Sequence, residues 1–283
     1  RLYEDASGSA AGALSALTAE PPVTDVTDDD GVRHSLWVVA DEGDGSPARA
    51  LITAASAGPV YIADGHHRYE TAARYRDERR TASTEQDPAF DFLLMLFLDA
   101  ADQLTVLPTH RVVRGLGDEG TAVLAERLPE LFVMTQMAAE TLVGRFEAAG
   151  ELAGGEGRLG FVTRAGAWQL EARRQAFSAP PGSSGSAAQA LDVSLLGTAL
   201  DVLAGVDAAA VAGGERITYS KTPAAAATLV ETASGGADAA FLLEPTPVGS
   251  ILAVARDGDV MPQKSTYFYP KALTGLVLNP HEW

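Results

Sequence analysis

Five mostly apolar residues, Pro59–Ala63, stop at Asp64-Gly65 and give way to Arg68–Arg80, where Tyr69, Ala72, Ala73 and Arg76 recur at helical spacing. That order predicts a strand, a sharp turn and a helix, with Gly65 free to take positive φ or to let another group approach the backbone. A helix beginning at or just after Gly65 leaves its first N–H groups without intrahelical acceptors, at the positive end of the macrodipole. His66, His67 and Arg68 add positive potential to the same turn, where cationic side chains are normally unfavourable. A bound anion would remove the conflict, and local rules tend to be broken at functional sites.

Each residue of the segment then has candidate chemistry. Arg68 can fork two donors onto phosphate oxygens, and Gly65 permits close approach of the backbone. Asp64 can cap the helix, hold a histidine tautomer or reach a magnesium ion beside phosphates. Glu70 can orient Arg68 or act as a base, and His66 can accept a phosphoryl group, with His67 beside it as a second catalytic candidate. The alternative is an ordinary solvated helix that Asp64 caps and whose Arg68 pairs with a carboxylate. Adjacent helical residues point about 100° apart, so His66 and His67 do not readily share one metal ion.

Composition narrows the partners. With 38 acidic and 21 basic residues, the 283-residue chain carries a net charge of -17, which repels nucleic acid and anionic membranes at long range. It contains no cysteine, so thiolate catalysis, disulfides and cysteine-ligated metals are excluded. No apolar run reaches the length of about 18 residues that a membrane helix needs. A soluble, cytoplasmic protein is expected. Arg1 is not Met and no signal pattern follows it, so a natural segment ahead of Arg1 is expected.

Along the chain, Pro21–Val26 and Arg33–Val39 flank Asp28-Asp29-Asp30-Gly31 and predict a hairpin. The continuous apolar run Phe90–Leu98 reads as a buried central strand paired with Leu104–Leu107. Helices are expected at Glu119–Leu131, Ala138–Ala149, Ala187–Ala204, Pro223–Ser234 and Pro247–Asp257, and strands at Leu159–Thr163, Trp168–Glu171, Arg216–Ser220 and Ala239–Leu243. Residues 179–186, rich in Pro, Gly and Ser, read as a flexible loop.

A second dense segment, Met261–Lys271, sets Lys264, Ser265, Thr266 and Lys271 among aromatic rings and supplies further phosphate-binding candidates. Gly258–Ser265 is not a P-loop, because Gln263 stands where the second glycine is required. His110 and Arg111, at the end of a predicted strand, are secondary candidates. His34 and His281 are set aside as structural, and Lys221-Thr222 as loop chemistry.

Ile62–Ala72, Leu107–Val113 and Met261–Lys271 with Thr274–Val277 resemble the domain of unknown function 1015 family, whose members are largely bacterial and archaeal. Gly65-His66-His67-Arg68-Tyr69-Glu70 is similar to the turn with which sulfiredoxins and ParB-type domains grip nucleotide phosphates. His66 stands where sulfiredoxin has its cysteine, so sulfinic acid reduction is excluded and the phosphate grip remains.

The resemblance implies an α/β chain (α+β, mixed sheet) with a ParB/sulfiredoxin-like core over residues 1–115, an additional α/β region over 116–215 and a C-terminal segment, 216–283, returning to the core. It implies binding of a nucleotide or small phosphorylated ligand, beside which the chemistry of Asp64 leaves room for a magnesium ion. Two readings stay open: a phosphotransferase or nucleotide hydrolase, and a non-catalytic nucleotide- or phosphometabolite-binding regulator.

Overall fold

The predicted Asp28–Gly31 hairpin forms, with Thr24–Thr27 antiparallel to Arg33–Leu36. Asp28 holds its turn by accepting the N–H groups of Asp30 and Val32 at 3.0 and 2.9 Å, and Nε2 of His34 lies 2.8 Å from its other carboxylate oxygen. In this computed structural model, which describes residues 1–101, 104–148, 157–177, 186–232 and 236–280, the hairpin belongs to the first of two units. That unit comprises Arg1–Leu104 and Pro270–Trp283, and the second is Thr105–Tyr269.

The first unit runs β1 (Leu2–Tyr3), α1 (Ser9–Leu17), β2 (Thr24–Thr27), β3 (Arg33–Leu36), α2 (Pro47–Ser56), α3 (His66–Arg80) and β4 (Leu98–Asp99). Its apolar nucleus is small: Tyr3, Ala10 and Ala54 pack with Leu51 and Ala55 where α1 meets α2. Ser46 caps α2 by accepting the Arg49 N–H at 3.1 Å, with Pro47 at the first turn. Helix α3 buries no residue. Arg80 instead forks onto Asp91, while Arg79 and Arg80 both lie over the Phe90 ring.

Two expected strands in this unit are corrected. Pro59–Ala63 contributes one bridge, Tyr61 to Leu2, rather than a strand. Phe90–Leu98 is no central strand: Pro88 leads into a 3-10 turn at Ala89–Asp91, and Phe92, Leu94 and Leu96 are half exposed. Only Leu98–Asp99 pairs, in parallel with β1, and so the expected partnership with Leu104–Leu107 does not form.

The second unit contains β5 (Thr105–Leu107), β6 (His110–Val113), α4 (Gly117–Arg127), β7 (Phe132–Met137), α5 (Ala139–Ala148), β8 (Arg158–Thr163), β9 (Gly166–Ala172), α6 (Ser186–Gln189), α7 (Asp192–Ala204), α8 (Ala208–Gly213), β10 (Ile217–Ser220), α9 (Pro223–Glu231), β11 (Ala239–Leu243), α10 (Val248–Arg256) and β12 (Tyr267–Tyr269). Six strands join in the order β10-β6-β11-β8-β9-β7, and every pairing is antiparallel. β5 pairs separately with β12.

Side-chain alternation divides this sheet into two apolar faces. Val113, Phe161, Phe241 and Leu170 face the cluster that includes Leu124, Leu196 and Val254. Val112, Val162, Ala240 and Leu242 face Leu142, Phe146, Ala226 and Val230. Helices therefore cover both faces, which explains the uninterrupted apolar run of β11, buried at every position. Helices and strands are mixed along the chain, as the α/β reading expected.

The helix expected over Ala187–Ala204 breaks at Ala190-Leu191, because Leu191 takes an extended conformation and Asp192 restarts the helix while accepting the Gly157 N–H at 2.8 Å. Residues 179–185 of the expected flexible loop, and Ala149, Ser234 and His281, lie outside the described residues.

Gly160 of β8 pairs with Leu242, and a Cβ there would meet Leu242 Cβ at 2.9 Å and Phe146 Cε2 at 3.0 Å. Gly160→Ala should therefore destabilise the protein by about 1–3 kcal/mol through overpacking. Urea unfolding tests this, and an unchanged midpoint would show that the two side chains can withdraw.

Candidate functional site

Gly65 is the N-cap of α3 in the left-handed region, at φ 80 and ψ 33, and no side chain caps the helix. The cap expected of Asp64 is thus displaced by one residue: its Oδ1 accepts the Gly65 N–H at 2.7 Å and leaves the first helical turn alone. Its Oδ2 accepts from Lys271 Nζ at 3.0 Å and lies 3.9 Å from the Arg68 guanidinium. Arg1 donates to the Asp64 carbonyl at 2.7 Å while its guanidinium lies over the Tyr69 ring, 5.4 Å from the centroid. Three cationic side chains therefore gather at one carboxyl-bearing residue.

The glycine is required by its backbone conformation. Its φ is one that L side chains rarely adopt, and a Cβ would stand 2.9 Å from Arg68 Nη2. Arg68 folds back over the turn yet keeps 80% of its side chain exposed. It is positioned without being consumed.

The charges register one another. Burial opposes ionisation of Asp64, but the hydrogen bond and charge of Lys271, the Gly65 N–H and Arg68 outweigh it and hold the carboxyl below its usual range. Burial first, and then the neighbouring Arg68 charge, lower the Arg1 pKa against the opposing pull of Tyr69 and Asp64. Glu70 lies 3.4 Å from His67 Nδ1 rather than beside Arg68. His66 opens the helix itself.

Each Asp64 oxygen accepts one hydrogen bond, and among the described residues no group of three or more His, Asp or Glu could hold a metal by itself. A magnesium ion at Asp64 would therefore need phosphate oxygens of a ligand as further ligands. What the arrangement can do is attract and orient an oxyanion with cationic donors and helix N–H groups.

The remaining candidates divide between the units. Lys271 belongs with Asp64, whereas Lys264, Ser265 and Thr266 lie in the second unit. Ser265 is buried, donates its hydroxyl to the Pro262 carbonyl at 2.7 Å and receives Thr246 Oγ1 on its own carbonyl at 2.9 Å, so its hydroxyl is engaged in structure. Lys264 adopts φ 56 and offers its carbonyl to Arg111 Nη2 at 3.4 Å. Thr266 is half-buried. Arg1 escaped the sequence reading because nothing in its spacing linked it to residue 64.

His110 is fully buried and its Nδ1 accepts the Leu243 N–H at 3.1 Å, which assigns the ring proton to Nε2. Burial, then the charge of Arg111, lower its pKa to about 4. The unfolded chain takes up the proton more readily, so this contribution to stability is complete above pH ~6.5 and is lost as pH falls toward 4, by on the order of 3 kcal/mol. Unfolding free energies measured across that window should fall more steeply for the wild type than for His110→Gln; equal slopes would place the titration elsewhere.

A family model described as "Protein of unknown function (DUF1015)" matches residues 1–194. No curated protein sequence matches the chain. Among solved structures, a conserved hypothetical protein from Pyrococcus furiosus aligns at 17% identity and TM-score 0.38, covering 73% of this chain and 68% of that one. A free serine kinase in complex with AMP aligns at 19% identity and TM-score 0.38, covering 73% of this chain and 66% of that one. The chain thus spans about two thirds of the length of these structures, and superpositions at such scores do not establish a shared fold. No described helix is long and apolar enough to cross a membrane.

Proposed function

The chain belongs to the DUF1015 family, and from that premise we propose that the start of α3 grips the phosphate of a nucleotide or other small phosphorylated ligand. One observation carries the reading: Arg1, Arg68 and Lys271 converge on Asp64 at a helix start that no side chain caps. In a chain of net charge -17, such a concentration of cations is a local reversal of the protein's field. Arg68 and Lys271 supply charged donors, and Gly65 lets the ligand approach the first-turn N–H groups. Asp64 is the positioning group: it holds Lys271 by a hydrogen bond and keeps Arg68 within 3.9 Å.

The similarity of Gly65–Glu70 to the phosphate-gripping turn of sulfiredoxins and ParB-type domains supports the same reading, and with it a ParB/sulfiredoxin-like core. A phosphotransferase or nucleotide hydrolase would use the His67 and Glu70 pair, 3.4 Å apart, for proton transfer. A specific observation favours the non-catalytic regulator: Lys271 and the Gly65 N–H each hold one oxygen of Asp64 and keep its carboxyl ionised, which makes it a weak base.

Thermal denaturation with ATP, ADP or pyrophosphate, with and without magnesium, tests the grip. Ligand at about a hundredfold above Kd should stabilise the protein by ~2.7 kcal/mol. Arg68→Ala or Lys271→Ala should weaken binding by about tenfold or more, the loss of one charge-assisted contact. Equal stabilisation of wild type and both variants would refute the site, and phosphate release from bound ATP would decide for catalysis.

A further inference from the structure

An aromatic ring stands beside the cations of the α3 start. Tyr69 is the fourth residue of α3, and its N–H closes the first helical hydrogen bond onto the Gly65 carbonyl at 3.0 Å. Four positions apart, Gly65 and Tyr69 lie on one side of the helix, separated by about one turn. Helical side chains lean toward the N-terminus, so the ring of Tyr69 covers the turn that carries the donors rather than the turn beyond it.

Aromatic side chains contribute to stability chiefly through the area they bury. Tyr69 is instead 41% exposed, on a helix that buries no residue. The Arg1 guanidinium lies over its ring, 5.4 Å from the centroid, and donates at the same time to the Asp64 carbonyl at 2.7 Å. Arg1 thereby ties the ring to the residue on which Lys271 and Arg68 converge. All five residues belong to the first unit, so the neighbourhood is set within one body of the protein.

A half-open π surface next to phosphate donors matches the two ends of a nucleotide. The cations and the helix start take phosphate oxygens, and an aromatic ring takes a flat base. A sugar phosphate or free pyrophosphate would leave the ring unused. Resting on the α3 grip, we propose that Tyr69 is the specificity-determining residue of that site: its ring stacks the base of a nucleotide whose phosphate is held by Arg68 and Lys271. Arg1 supports the ring from one side and leaves the other to the base. Every nucleobase has a π face, and stacking reads none of its edges, so the selection is for the presence of a base rather than for its identity.

Calorimetric titration of the whole protein with AMP, UMP, ribose 5-phosphate and pyrophosphate tests this. AMP and UMP should both bind about tenfold or more tighter than ribose 5-phosphate, which carries the same phosphate and sugar without a base. Tyr69→Ala should remove that advantage while leaving pyrophosphate binding within about twofold of wild type, and Tyr69→Trp should retain the advantage. Arg68→Ala should weaken all four ligands. If nucleotides and ribose 5-phosphate bind alike, or if Tyr69→Ala weakens pyrophosphate as much as AMP, the stacking role is refuted and the phosphate grip stands. If no ligand binds, or if Arg68→Ala changes nothing, the grip itself fails and the stacking role falls with it.

Discussion

Lys271 reaches across 207 positions of sequence to the Asp64 carboxylate, and the geometry of the α3 start depends on that contact. Its energetic worth is small, since both partners are partly exposed and such pairs contribute about 0–1 kcal/mol. Its importance is positional. By occupying one oxygen of Asp64, with the Gly65 N–H on the other, it leaves Arg68 at 3.9 Å, near the carboxylate without a tight fork. An arginine so placed can offer its donors to another anion.

Elsewhere the protein spends its acidic excess on pairing. Arg33 is held by Asp25, Arg80 by Asp91, Arg127 by Glu130 and Arg164 by Asp118. The cations around the start of α3 differ from these one-to-one pairs in sharing a single residue, Asp64. Around α3 the departure coincides with a helix end whose dipole is already positive. The helix has no buried face to hold it, so its ends are fixed by charge: Arg80 on Asp91 at one, and the residues around Asp64 at the other.

Local chemistry was legible in the sequence wherever a few adjacent residues decide the outcome. The Asp-Gly hairpin, the start of α3 after Gly65 and the apolar β11 all follow from turn residues and short-range pattern. Phe90–Leu98 misled because an apolar run reports burial without naming the geometry. Its course is set by Pro88 and by the attraction of Asp91 for Arg80, neither of which periodicity registers. The break before Asp192 depends on a hydrogen bond from Gly157, 35 residues away. The candidate site divides in the same way. Gly65, Arg68 and Asp64 were visible as a local conflict of charge, and Lys271 as part of a dense motif. Arg1 becomes interpretable only once the chain has brought it to Asp64 and Tyr69.

The most direct measurement is a crystal structure of the protein soaked with pyrophosphate or AMP. The account predicts a phosphate group within hydrogen-bond distance, about 2.7–3.2 Å, of the Arg68 guanidinium and the first-turn N–H groups after Gly65, with Lys271 turned toward it. A saturating ligand bound elsewhere, with Arg68 left in solvent and the turn unchanged, would contradict it.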